Sequence, residues 1–229
     1  MGFEYCGRDM DTARYEEKKR GLREALRTAR GGNIRLGKTT SNLFRDRHGA
    51  SGKKLDVRDF NNVLHVDAAN GYVVVEGMTP YANLVAECLR HNVMPAVVPQ
   101  LKSITIGGAT AGCGIESSSF RYGLVHEMVR EMEVLLGDGR TVVCMPDNEH
   151  RDLFYGFPNS YGTLGYALLI KAMVVPVKKY VKLTHLRYAD AEEFFAVLAK
   201  QCERRDVDFV DGVVFGRRDM VITLGQFVH

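Results

Sequence analysis

At 229 residues and 45% apolar composition, the chain can bury one large core or two small ones without disulfide or metal staples. Thirty-one basic and 28 acidic residues leave a net charge of +3, too balanced for nucleic acid to be the main partner, so an anionic ligand has to be held by local groups. Five scattered cysteines (Cys6, Cys88, Cys113, Cys144, Cys202) lack C-x-x-C spacing, which argues against zinc or dithiol chemistry. No run approaches the ~18 apolar residues of a spanning helix, and the N-terminus lacks an apolar signal region. The expectation is a soluble chain, cytoplasmic or peripheral to a membrane.

In chain order, residues 11–30 carry Leu22, Ala25, Leu26 and Ala29 at three- and four-residue spacing, closed by Gly31-Gly32, and predict an amphipathic helix with a solvated charged face. Apolar pieces at 34–36, 63–66 and 72–76 predict strands, with Asn70-Gly71 suited to the positive φ of a tight hairpin. Thr79-Pro80 opens a helix running to His91, its apolar side made by Leu84, Val85, Cys88 and Leu89, and Val97-Val98 is the next strand candidate. Over residues 101–123 periodicity vanishes and Gly, Ser and Thr dominate; an irregular stretch of that length in a compact domain is usually functional. Strands at 128–136 and 141–145 flank Gly137-Asp138-Gly139, a hairpin signal that makes Asp138 a turn residue. A second irregular segment, 152–165, leads into a long apolar strand at 166–175, and Pro176 with Lys178-Lys179 marks a boundary. A helix at 191–203 and strands at 209–215 and 220–226 follow. They are few for an independent domain and no closing element comes after them, so the expectation is an incomplete second domain.

Residues 32–39, Gly-Asn-Ile-Arg-Leu-Gly-Lys-Thr, satisfy the P-loop pattern G-x-x-x-x-G-K-[ST]. A P-loop, however, needs a strand ending at its first glycine and a helix starting at the Lys-Thr pair, so that clustered N–H groups cradle phosphate. Here a helix precedes Gly32 and an apolar triplet lies inside the supposed loop, so a P-loop nucleotide-binding protein is retained only as an alternative. Gly112-Cys113-Gly114 does not extend to a dinucleotide fingerprint, because no amphipathic helix follows Ser117. What remains is three separate backbone turns, at 37–42, 105–119 and 162–165, suited to an extended dinucleotide. Glycines permit close main-chain approach, and Lys38, Thr39, Thr40 and Ser41 from one side, with Gly107, Gly108 and Ser117 from the other, can neutralise a pyrophosphate without a large positive surface.

Thr105-Ile106-Gly107-Gly108, Tyr122-Gly123, Leu136-Gly137-Asp138-Gly139, Asp152-Leu153-Phe154 and Gly162-Thr163-Leu164-Gly165 succeed one another as in the FAD domain of the vanillyl-alcohol oxidase / p-cresol methylhydroxylase (PCMH) superfamily, which residues 33–183 resemble. The run Gly114-Ile115-Glu116-Ser117-Ser118-Ser119 and residues 176–183 look like its sterol C24-reductase group. The resemblance implies an α+β protein: an N-terminal helix at 1–32, a PCMH-type FAD-binding domain of two α/β subdomains at 33–183, and the start of a truncated α+β substrate (cap) domain at 184–229. It implies that FAD is held by Gly37, Lys38, Thr39, Thr40, Ser41 and Asn42; by Thr105, Ile106, Gly107, Gly108, Ala109, Thr110, Ala111, Gly112, Cys113, Gly114, Ile115, Glu116 and Ser117, with Tyr122 and Tyr161 as polar or stacking neighbours; and by Gly162, Thr163, Leu164 and Gly165 along the isoalloxazine. With no histidine in the first loop before His48, dissociable FAD is expected.

The implied activity is an FAD-dependent oxidoreductase that uses NADPH to saturate an alkene of a small-molecule substrate, a sterol or other lipid alkene. A soluble FAD-linked oxidase or dehydrogenase of an alcohol or hydroxy acid is the alternative. The sequence singles out no proton donor. Glu116 reads either as a ribose or proton-transfer group or as a cap on loop N–H groups, and His126 as a flavin neighbour or a satisfied structural residue.

Overall fold

The computed structural model describes residues 9–28, 34–38 and 52–229. Helix α1 (Asp9–Thr28) leads to a parallel pair, β1 (Ile34–Gly37) and β2 (Lys53–Asp56). There follow β3 (Val63–Asp67), β4 (Tyr72–Glu76), α2 (Tyr81–Leu89), β5 (Val93–Pro95), α3 (Ile106–Gly112) and α4 (Ser119–Tyr122). A 3-10 turn, Val125–Met128, precedes β6 (Val129–Leu135), β7 (Thr141–Cys144), α5 (Arg151–Gly156) and β8 (Tyr166–Pro176). The chain continues through β9 (Tyr180–Tyr188), α6 (Ala191–Cys202), β10 (Phe209–Gly216) and β11 (Asp219–Val228).

β8 is the spine. It pairs antiparallel with β4, β6 and β5 in a six-stranded sheet of order β3-β4-β8-β6-β7, with β5 joined to its end. Its near-continuous apolar sequence is required because both faces are covered. One face carries Val73, Val75, Ile170 and Ala172 against Tyr81, Leu84 and Cys88 of α2 and Ile106 and Ala109 of α3. The other carries Val74, Leu135, Tyr166, Leu168 and Leu169 against Tyr15, Leu22 and Leu26 of α1 and against Leu55, Val57 and Phe60.

On that second face the strands also present carboxylates. Glu76 is fully buried; it accepts from Lys18 Nζ, from Asn62 N at 2.8 Å and from Asn62 Nδ2 at 2.7 Å. Glu133 accepts from Tyr15 Oη and from Lys19 Nζ, the latter at 2.9 Å. Burial, and then the Glu133 charge, raise the Tyr15 phenol far above its ordinary pKa, so it is a neutral donor. The buried face of α1 thus contains Tyr15, Lys18, Lys19, Leu22 and Leu26, and charge complementarity supplements its narrow apolar stripe.

A separate sheet, β10-β11-β9, is antiparallel and carries α6 on one face through Phe194, Val207, Val210, Met220, Ile222 and Leu224. β9 belongs to it along its whole length, so sheet membership changes between Pro176 and Tyr180, and β9 runs across the 183/184 division expected from sequence. Arg121 holds the two sheets together. It donates to Val207 O at 2.6 Å and Arg205 O at 2.8 Å, and pairs with Asp208 at 3.3 Å.

Four local expectations are corrected. The strand expected at Val97-Val98 lies at Val93–Pro95, because Asn92 (φ +56°) turns the chain sharply out of α2 straight into pairing with β8. The irregular 101–123 segment contains α3 and α4: Thr105 Oγ1 caps α3 by accepting from Gly108 N, and burial of Ile106, Ala109 and Thr110 outweighs the poor helix propensity of its glycines. The irregular 152–165 segment begins with α5, whose entry is shaped by Asn148 Oδ1 accepting from His150 N at 3.0 Å. The P-loop alternative fails, because extended β1 occupies the middle of the supposed phosphate loop.

Replacing Lys18 by Met leaves Glu76 buried without its cation. Urea denaturation followed by circular dichroism is expected to show a loss of about 3 kcal/mol.

Candidate functional site

Part of the second turn and the third turn meet at one end of the central sheet, and main-chain contacts at glycine bring them there. Gly77, immediately after β4, donates N–H to Leu168 O and accepts from Gly107 N, both at 2.9 Å. A Cβ on Gly77 would overlap Ala167 O; one on Gly107 would lie 2.7 Å from Gly77 O, and one on Gly165 2.6 Å from Leu135 O. β4, β8, α3 and the turn entering β8 can therefore meet only through glycine backbone. Sequence reading missed Gly77. Its signal was a glycine directly after a Val-Val-Val-Glu strand, where a close backbone approach is a standard reason for glycine.

The second and third turns are joined directly. Tyr161 N donates to Ala111 O at 3.1 Å, and the Tyr161 ring lies 3.9 Å from where a Cβ on Gly112 would be. Tyr161 (φ +50°) and Gly162 (φ +86°) form the two central residues of a turn closed by Thr163 N donating to Ser160 O at 3.0 Å. Among the described residues, four non-glycine residues have positive φ; Cys113 falls in the second turn, and Asn159 and Tyr161 lie in the segment leading into the third. Such conformations persist where surrounding structure over-determines them, commonly at ligand sites.

The first turn is anchored on the opposite face of the sheet. Gly37 O accepts from Val57 N at 3.3 Å, and Leu55, Val57 and Phe60 pack with Met78 and Tyr166. Met78 N donates to Phe60 O at 2.8 Å, so the β1–β2 unit is tied to the residue following Gly77. Thr39, Thr40, Ser41 and Asn42 lie outside the described residues.

Not every expected residue joins this end. Ser117 O accepts from Val210 N at 2.8 Å, and Tyr122 lines a small cavity of about 100 Å³ with Met94, Val175 and Asp208. Both sit toward the far end of β8, whose 11 residues at ~3.3 Å each place its ends about 30 Å apart. The expected residues are strung along the sheet rather than gathered at a point.

The chemistry of the track is specific. The first three amides of α3 are committed within the protein: Ile106 N to Thr79 O at 3.1 Å, Gly107 N to Gly77 O, and Gly108 N to Thr105 Oγ1 at 3.2 Å. They do not face a phosphate. In contrast, a Cβ at Gly112 or Gly162 would meet nothing nearer than 3.9 or 4.0 Å, so main chain there is open to a close ligand. Exposed Ile115, Tyr161 and Leu164 supply apolar surface beside it, and buried Ser160 Oγ has no hydrogen-bond partner among the described residues. Open backbone, apolar walls and a waiting hydroxyl fit a flat, partly polar ring system. Three further buried atoms, Tyr81 Oη, Tyr166 Oη and His126 Nδ1, also lack partners, a condition that costs roughly 1–3 kcal/mol each.

Glu116 accepts from Gln100 N at 3.2 Å, and its own N–H donates to Ser119 Oγ at 2.9 Å. Burial raises its carboxyl pKa, with Asp211 adding to the effect and the Gln100 hydrogen bond opposing it. Glu116 braces the loop as a cap. Asp138 accepts from Arg140 N at 2.9 Å, completing its hairpin turn. Among the described residues no group of His, Cys, Asp and Glu is arranged to hold a metal, and no helix is long and apolar enough to cross a membrane.

Burial pushes the Cys88 and Cys144 thiols up to about 12, which removes them as nucleophiles near neutrality. An aromatic disulfide reagent at pH 7 is therefore expected to leave both unlabelled in the native protein and to label both after denaturation, as read by peptide mass mapping.

Comparison with known proteins places the chain among flavin-binding sequences. A family profile described as "FAD binding domain" matches residues 17–145. Delta(24)-sterol reductase of Homo sapiens is 32% identical over 222 residues, covering 95% of this chain and 41% of that protein. The Pisum sativum Delta(24)-sterol reductase is 35% identical over 158 residues, 69% of this chain and 27% of that one. Cytokinin dehydrogenase 4 of Oryza sativa subsp. japonica is 26% identical over 159 residues, 69% of this chain and 28% of that one. These matches span at most 41% of the relatives' own length.

Proposed function

Because the chain belongs to the PCMH-type FAD-binding domain family, we propose that it is the cofactor-binding portion of an FAD-dependent oxidoreductase and that its three turns hold one molecule of FAD without a covalent bond. The observation that carries the reading is the junction of the second and third turns through Tyr161 N and Ala111 O, beside open main chain at Gly112 and Gly162.

Within this reading each part of the chain has a task. Lys38, with Gly37, Thr39, Thr40, Ser41 and Asn42, neutralises the pyrophosphate, since the α3 amides are already committed. Thr105, Ile106, Gly107 and Gly108 set the position of the second turn, and residues 109–116 offer it as a surface. Gly162, Thr163, Leu164 and Gly165 admit close approach of the cofactor from the third turn. Bound there, FAD supplies two-electron redox chemistry. The protein contributes orientation, exclusion of water through the apolar walls, and hydrogen bonds to polar edges.

The substrate class is proposed from the relatives. Two are named as Delta(24)-sterol reductases, and this chain is identical to them at about a third of the aligned positions. We assign it the same kind of reaction, saturation of an alkene in a sterol or similar lipid, with NADPH as the source of reducing equivalents. Residues 184–229, together with the start of β9 at Tyr180, belong to the substrate-binding part, joined to the cofactor track at Ser117 and Arg121. The cytokinin dehydrogenase match supports a second reading, an oxidase or dehydrogenase on the same cofactor framework. Oxygen consumption against NADPH oxidation separates the two in a full-length protein.

Added FAD is expected to give the 229-residue chain flavin absorbance bands, with the yellow colour leaving the pellet on acid precipitation. Lys38→Ala is expected to weaken FAD about tenfold, the equivalent of one charge-assisted hydrogen bond. Absence of flavin binding at any concentration of FAD would overturn the assignment.

A further inference from the structure

Tyr166 lies outside the expected set of site residues, yet it adjoins the third turn and the Gly77–Gly107 contact that seats the second. It is the first residue after Gly165, and its ring meets Phe60 edge-on at 6.4 Å, on the element tied to Gly37. Its hydroxyl lies 3.5 Å from where a Cβ on Gly77 would be, and Gly77 O in turn holds Gly107 N. Only 8% of Tyr166 is exposed, and its hydroxyl is buried without a partner among the described residues. A fold that satisfies both buried carboxylates beneath α1, yet leaves this phenol without a partner among the described residues beside the Gly77–Gly107 contact, has placed a donor where a ligand can complete it.

We propose that Tyr166 Oη is a binding contact for the cofactor, donating a hydrogen bond to an uncharged acceptor on it; this rests on the FAD reading above. Burial, and then the nearby Glu76 carboxylate, hold the phenol in its protonated form. The same carboxylate disfavours an anionic partner, so the acceptor is a ring nitrogen, a carbonyl or a hydroxyl rather than a phosphate. Tyr81 is the internal control. Its hydroxyl is also buried and unpartnered, but it belongs to α2 and packs in the other core, away from Phe60 and Gly165.

The test titrates the 229-residue chain with FAD, by quenching of flavin fluorescence, for wild type, Tyr166→Phe and Tyr81→Phe, and records thermal unfolding of each apo protein. Tyr166→Phe is expected to weaken FAD about tenfold while the apo melting temperature is unchanged or raised, since an orphaned hydroxyl has been removed. Tyr81→Phe is expected to keep FAD affinity within about twofold of wild type. These opposite signs distinguish a ligand contact from a structural one. Unchanged FAD affinity in Tyr166→Phe, or a lowered apo melting temperature showing that the hydroxyl already had a partner such as trapped water, would overturn the inference alone. Failure of wild type to bind FAD would instead remove the reading on which it rests.

Discussion

Everything near the candidate site depends on main chain meeting main chain at glycine. The carbonyl of Gly77 receives the amide of Gly107, and neither that contact nor the approach of Gly165 to Leu135 leaves room for a Cβ. Side-chain packing could not bring β4, β6, β8 and α3 so close, because the smallest side chain would force them apart. Backbone contacts are also stiff. A hydrogen bond between two peptide groups in extended or capped structure has little freedom to slide, so the turns that surround it inherit a fixed position. This is the kind of support a binding site needs when its own surface is loop.

The buried carboxylates act on the other face of the sheet in a complementary way. Glu76 and Glu133 are removed from water and held by Lys18, Asn62, Tyr15 and Lys19, and such networks add little net stability compared with apolar packing. Their value here is registry. Both carboxylates stand at defined points of β4 and β6, and a shift of α1 by one turn would leave them buried and unpaired, a far worse state than the observed one. Glu76 precedes Gly77 directly, so the charge network and the glycine contact are adjacent in sequence and act on the same strand end.

The division of polar work along the track follows from what is already used. α3 would ordinarily offer its first amides to an anion, but Thr79, Gly77 and Thr105 accept them all. Those bonds hold the helix in place and remove it as a phosphate cradle. In the FAD reading proposed above, charge neutralisation falls to Lys38, while the second and third turns contribute shape, apolar contact and single hydrogen-bonding groups. Toward Ser117 the track meets the second sheet, whose Val210 and the Arg121 clamp define its edge.

Much of the framework was legible from residue order. Amphipathic spacing placed α1 and α6 within two residues at each end, unbroken apolar character identified β8 as a long strand, and Gly-Asp-Gly marked the β6–β7 hairpin, because each is a local signal of period or turn chemistry. The succession of glycine motifs identified the family, since close approach of backbone to backbone or ligand admits few substitutes. β9 was overlooked because, on an edge with most of its side chains in solvent, it lacks the apolar enrichment that distinguishes a strand from a linker. α3 was hidden because glycine-rich sequence disfavours helix locally, and only burial against β8 and a Thr105 cap select it. Which glycines close against protein and which remain open could not be read from composition: Gly107 and Gly112 are alike in sequence, but Gly77 O stands before the first and space before the second. The sequence by itself determined the family and the elements that carry a strong local period or turn signal. Tertiary structure alone decided which amides are already spent and which hydroxyls still lack a partner, because both depend on contacts between residues far apart in the chain.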